Sequence, residues 1–130
     1  VKVDQNDVVY LDPPYTKRQY AAYYHILETL AIGDEPKVDG ITGLRPWQTK
    51  ASDYCYKSRA LLAITNLIDQ LNADRIFLSY SDQGHVPMRP LQKSLEGVGD
   101  VTVRPLKSVG RYRPNVAARD AGASVKEYLL

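Results

Sequence analysis

A carboxylate followed at once by two prolines and an aromatic ring, Asp12-Pro13-Pro14-Tyr15, is the segment of this chain best suited to chemistry. It comes directly after the short apolar run Val8-Val9-Tyr10-Leu11, so the carboxylate stands where a strand ends. An aromatic amine is a poor nucleophile because its nitrogen lone pair is delocalised into the ring. Two hydrogen-bond acceptors that hold both amine hydrogens draw the nitrogen toward tetrahedral geometry and stabilise the positive charge that develops on attack. Asp12 and the carbonyl of Pro13 are such acceptors, and a Pro-Pro pair presents its carbonyls on a stiff backbone with no competing N–H. Tyr15 offers a flat face to a base that has left its stack, replacing a contact worth about 1–3 kcal/mol. The pattern predicts methyl transfer to an aromatic amine, with Asp12, Pro13, Pro14 and Tyr15 as the catalytic loop; a plain strand-ending turn is the alternative.

The elements that must position this loop are legible in outline. Val8 to Leu11 reads as a central parallel strand buried on both faces. Tyr20, Tyr23, Tyr24, Leu27 and Leu30 recur at helical spacing up to Gly33, and two of the three tyrosines are expected in the core. Gly33, Pro36, Gly40, Gly43 and Pro46 mark residues 33 to 51 as a long loop. A second helix is expected from the stripe Ala60, Leu61, Ile64, Leu67, Ile68 and Leu71, capped by Ser52 or Asp53. Ile76 to Tyr80 forms a second strand that runs into the turn Ser81-Asp82-Gln83-Gly84, and a short helix covers Arg89 to Glu96. Val101 to Leu106 and Ser124 to Leu130 read as two further strands, Pro105 confining the first to an edge or to its own end. In a parallel sheet, ligands bind beyond the carboxyl ends of the strands, so Asp12 and Ser81-Asp82 should face one crevice.

Composition sets the outer bounds. The 130 residues are 44% hydrophobic and 25% charged, the balance of one globular domain or part of one. A net charge of +2 means that a nucleic-acid partner must be argued from where the basic residues sit. Lys17 and Arg18, directly after the loop, are placed to hold phosphates beside a flipped nucleotide, and Lys107, Arg111 and Arg113 interleave charge with Tyr112 in a way that suits phosphate contacts. Solvated loops are the plain reading of both segments. Cys55 stands alone, which excludes an internal disulfide and suits a reducing, cytoplasmic setting. No His, Asp or Glu cluster has metal-ligand spacing, His25 reads as a surface or packing residue, and no apolar run approaches the roughly 20 residues of a membrane span. Val1 and the apolar Tyr128-Leu129-Leu130 suggest cut ends.

These residues resemble the Dam-like, D12 class of adenine-specific DNA methyltransferases. The resemblance is carried by Val8 to Tyr15, by Arg18-Gln19-Tyr20 and Tyr24-His25 with Leu27-Glu28, and by Phe77-Leu78-Ser79-Tyr80-Ser81-Asp82-Gln83-Gly84. It implies an α/β, Rossmann-like methyltransferase sheet ending in an antiparallel hairpin at residues 101 to 130, S-adenosylmethionine as cofactor, and a flipped adenine in DNA as substrate. In such enzymes the aspartate of the loop also lies against the cofactor, so Asp12 would touch both ligands. The family's Phe-x-Gly-x-Gly cofactor loop belongs upstream of Asp12 and is not in this sequence, so residues 1–130 are expected to be the C-terminal part of a catalytic domain partnered by the N-terminal half of the same enzyme. An RNA amine methyltransferase, or a non-catalytic nucleic-acid-binding piece of a split enzyme, would carry the same signals.

Overall fold

The computed structural model describes residues 2–106 and 125–130. Two strands, β1 (Val8–Leu11) and β2 (Arg75–Ser81), run parallel with Tyr10 beside Phe77 and Leu11 beside Leu78. The last strand, β4 (Glu127–Leu129), lies antiparallel against the other side of β2, and the two-residue β3 (Arg104–Pro105) pairs antiparallel with β4, giving the order β1-β2-β4-β3. The sheet is therefore mixed, a parallel pair completed by an antiparallel pair. Proline at the end of β3 fits a position that need not donate to a longer ladder.

Helices α3 (Ala60–Asp69) and α4 (Met88–Leu95) cover one face of this sheet. Their buried Ala60, Ile64, Leu91 and Leu95 pack with Leu78 and Tyr80 of β2 and with Val86, and Leu11 of β1 leans on the same cluster. The alternation of β2 explains the choice, since Leu78 and Tyr80 are two residues apart and share a face. The hydroxyls of Thr65 and Ser94 meet at 2.9 Å and join the two helices across the core.

Three expectations need correction. β1 is an edge strand among the described residues and is buried on one side only: Val8 is 61% and Tyr10 63% exposed, and Phe77 beside Tyr10 is 40% exposed. An apolar run with one uncovered face has the same composition as a run covered on both, so the sequence pattern could not separate them. The helix after the loop is two helices, α1 (Tyr20–Tyr23) and α2 (His25–Ile32), broken where Tyr24 leaves the helical region at φ −104°, ψ 16°. Tyr20, Tyr23 and Tyr24 are all exposed, none of them in the core, because helical spacing identifies an apolar face without saying what covers it. Finally, α3 has no side-chain cap: Ser52 and Asp53 belong to a separate turn at Asp53–Cys55, and the helix is entered by Arg59 and Ala60, whose N–H groups both donate to the carbonyl of Tyr56.

Gly33 ends α2 in the left-handed region at φ 70°, its N–H donating to Thr29 at 2.8 Å, as its position suggested. The long loop after it is pinned by Arg45, whose guanidinium forms a two-pronged pair with Asp34 at 2.7 and 2.8 Å and also donates to Thr29. Among the described residues no helix is long and apolar enough to cross a membrane.

Candidate active site

The carboxyl ends of β1 and β2 open into a cleft of about 440 Å³, within the range of small-molecule sites. It is lined by the loop Asp12 to Arg18, by Ser81 and Gln83 at and just after the end of β2, by Val125 and Glu127 at the start of β4, and by Tyr20, Tyr23 and Tyr24. Asp12 and Ser81 share the crevice expected of two parallel strand ends. Asp82 does not line it, and its N–H is spent on the carbonyl of Lys126.

Asp12 is exposed in this cleft, and its carboxylate has no hydrogen-bond or ion-pair partner among the described residues. Pro13, Pro14 and Tyr15 are half-buried behind it. The Tyr15 ring packs on the core and meets the Tyr80 ring at 5.6 Å with the planes tilted by 59°. Lys17 and Arg18 are exposed and line the same cleft, and the Arg18 guanidinium lies 5.6 Å from the centre of the Tyr23 ring. Lys107, Arg111 and Arg113 lie outside the described residues. His25 faces a separate, smaller hollow with Tyr24, Glu28 and Arg45.

What fixes the loop was not singled out from sequence. The side chain of Gln19, 6% exposed, donates from Nε2 to the Ser52 carbonyl at 3.1 Å and accepts the Ser52 N–H at Oε1 at 2.8 Å. The Cys55 thiol donates to the Arg18 carbonyl at 3.3 Å, and burial pushes this thiol above its ordinary pKa, so it serves as a neutral clasp. His85 donates its N–H to the Tyr15 carbonyl at 2.8 Å, and its ring Nε2 meets the Cys55 carbonyl at 3.0 Å. Loop, turn 53–55 and the segment after β2 are thereby tied into one unit. Gly84 belongs to it as well: a Cβ there would fall 2.5 Å from the Tyr80 ring, so only glycine fits. Gln19 and Gly84 both fall in segments that carry the family resemblance, Arg18-Gln19-Tyr20 and Phe77 to Gly84, but nothing in their spacing marks Gln19 or His85 as a loop anchor.

A mixed α/β sheet with an acidic, proline-stiffened loop at a strand's carboxyl end is consistent with a methyltransferase fold. The profile of the D12 class N6 adenine-specific DNA methyltransferases matches residues 1–85. The modification methylase StsI of Streptococcus sanguinis is 38% identical over 78% of this chain and 16% of its own length, and the type II methyltransferase M.FokI of Planomicrobium okeanokoites is 41% identical over 72% of this chain and 14% of its own. The type II methyltransferase M.CviAII of Paramecium bursaria Chlorella virus 1 is 30% identical over 97% of the chain and 37% of its own length. No solved structure matches. The chain belongs to the D12 class N6 adenine-specific DNA methyltransferase family, and it spans well under half the length of these relatives.

Proposed function

We propose that residues 1–130 form the target-base half of the active site of an S-adenosylmethionine-dependent DNA methyltransferase that modifies the exocyclic amine of adenine, the glycine-rich part of the cofactor pocket being supplied by polypeptide outside this sequence. The observation that carries the reading is the Asp12 carboxylate, without a partner among the described residues and set beside Pro13 and Tyr15 in an open cleft. The parallel β1–β2 pair followed by antiparallel β3 and β4 suits the C-terminal half of a Rossmann-like sheet. The edge of β1, unpaired among the described residues, and its exposed Val8 and Tyr10 suit a neighbouring half of the same domain.

A carboxylate without a partner, in a cleft of this size edged by tyrosines, fits both a cationic cofactor and a planar base. S-adenosylmethionine, when bound, supplies a methyl group on a positively charged sulfur. Asp12 is the residue here that would lie against it. In the base site, an Asp12 oxygen and the Pro13 carbonyl accept the two N6 hydrogens, so that the nitrogen lone pair is turned out of the ring plane. Both acceptors are preorganised, since the loop is clasped through Tyr15, Arg18 and Gln19. Asp12 is also the acceptor in place for the proton that the amine sheds once it is cationic. The Tyr15 ring, backed by Tyr80, stacks on the base, and Lys17 and Arg18 hold the phosphates on either side of it, with Lys107, Arg111 and Arg113 adding contacts further along the duplex. A protein acting on DNA and carrying a neutral thiol clasp works in a reducing compartment, which we take to be the cytoplasm.

The test is methyl transfer from labelled S-adenosylmethionine by the full-length enzyme to DNA, with the product nucleoside identified by mass spectrometry. N6-methyladenine in DNA is expected; methylated cytosine, or transfer to RNA alone, would contradict the proposal.

A further inference from the structure

We propose that Gln83 is a specificity-determining residue that donates a hydrogen bond from its side-chain amide to a ring nitrogen of the target adenine, N1 or N7, beside the reacting amine. This rests on the reading of the cleft as the base site. Gln83 lines that cleft together with Asp12 and Tyr15; it is exposed, and its amide has no hydrogen-bond partner among the described residues. The backbone N–H groups of the turn that carries it, in contrast, are hydrogen-bonded. The N–H of Gln83 donates to Ser81 Oγ at 3.3 Å, the next N–H, of Gly84, donates to the Ser81 carbonyl at 2.9 Å, and the preceding one, of Asp82, donates to Lys126 at 3.0 Å. Gly84 sits against the ring of Tyr80, which is fully buried and whose hydroxyl accepts the Val86 N–H at 3.1 Å. A side-chain amide with no partner among the described residues, carried on a hydrogen-bonded turn in the wall of the cleft, is suited to reading a base.

The chemistry narrows what it reads. Asp12 and the Pro13 carbonyl take both hydrogens of the amine, so the base has only acceptors left on that edge, and an acceptor needs a donor. Lys17 and Arg18 also line the cleft, but a cation beside an amine that is gaining positive charge opposes the reaction, and Arg18 already lies on Tyr23. The neutral amide of Gln83 donates without that penalty, and glutamine is a side chain whose donor and acceptor pattern suits adenine.

The experiment compares the full-length enzyme with Gln83→Ala and Gln83→Glu on duplex DNA carrying adenine, 1-deazaadenine or 7-deazaadenine at the target position, read as kcat/KM for methyl transfer. The parent should lose about tenfold on one of the two analogues, the scale of one base-reading hydrogen bond. Both variants should lose about as much on adenine, show no further loss on that analogue, and keep the parent's melting temperature, since the side chain packs nothing. Variants with the parent's kcat/KM on adenine, or with its sensitivity to the analogues intact, would overturn the proposal. A parent that methylates no adenine at all would overturn the base-site reading, and the role of Gln83 with it.

Discussion

The backbone carbonyl of Tyr15 accepts the N–H of His85 at 2.8 Å, which ties the loop at the end of β1 to the segment after β2. Strand ends in a parallel pair are brought near one another by the sheet, but proximity alone does not fix the direction in which a loop presents its carbonyls and side chains. The His85 bond, with the Gln19 and Cys55 contacts beside it, turns proximity into fixed geometry.

Gly84→Ala should be among the most damaging small substitutions in the chain. The added methyl lies 2.5 Å from a buried ring that cannot move aside, and overpacking of this kind costs about 1–3 kcal/mol. Thermal unfolding of the full-length enzyme should show the drop, together with weaker methyl transfer, because the turn carrying Ser81 and Gln83 must shift.

Tyr80→Phe removes the acceptor of the Val86 N–H and should cost about 1–3 kcal/mol for the buried donor left unpaired. It should also change the response to alkali. Burial raises the Tyr80 phenol above its ordinary 10.0, so the folded chain keeps a proton that the unfolded chain has lost. That contribution is whole below pH 10 and is lost as pH rises through the folded-state value; the variant should lack this part of the alkaline decline in stability.

Gln19→Leu leaves the N–H and carbonyl of Ser52 without their partner and should lower stability by about 2 kcal/mol. Denaturant unfolding measures the loss. A change below a few tenths of a kcal/mol would show that the Gln19 clasp is replaced by water at no cost.

The fold was partly legible from residues alone. Leu78 and Tyr80 sit in the strand, and Ala60 and Ile64 on the helix face, where period and composition placed them, because each face is covered within this chain. The face of β1 and Tyr20, Tyr23 and Tyr24 were misread because nothing among the described residues buries them. Asp12 to Arg18 line one cleft with Ser81, as their place at the end of a parallel strand suggested. Gln19 and His85 were not legible, since an anchor is defined by its distant backbone partner and not by its neighbours in sequence.

Lys17→Ala and Arg18→Ala should weaken DNA binding alike on all sequences and reduce the slope of log affinity against log salt by about 0.9 each. Titrations at several salt concentrations supply the slope. An unchanged slope would make both residues bystanders at the mouth of the cleft.

The account stands most directly on Asp12. Asp12→Asn keeps the size and the turn but replaces an acceptor by an amide that also presents a donor, so the amine loses a contact that strengthens as charge develops. Single-turnover methylation by the full-length enzyme carrying this substitution should slow on the order of 10²- to 10³-fold, while cofactor and DNA affinities fall much less. A rate within about threefold of the parent, roughly 0.7 kcal/mol, would contradict the assignment of Asp12 to the reacting amine.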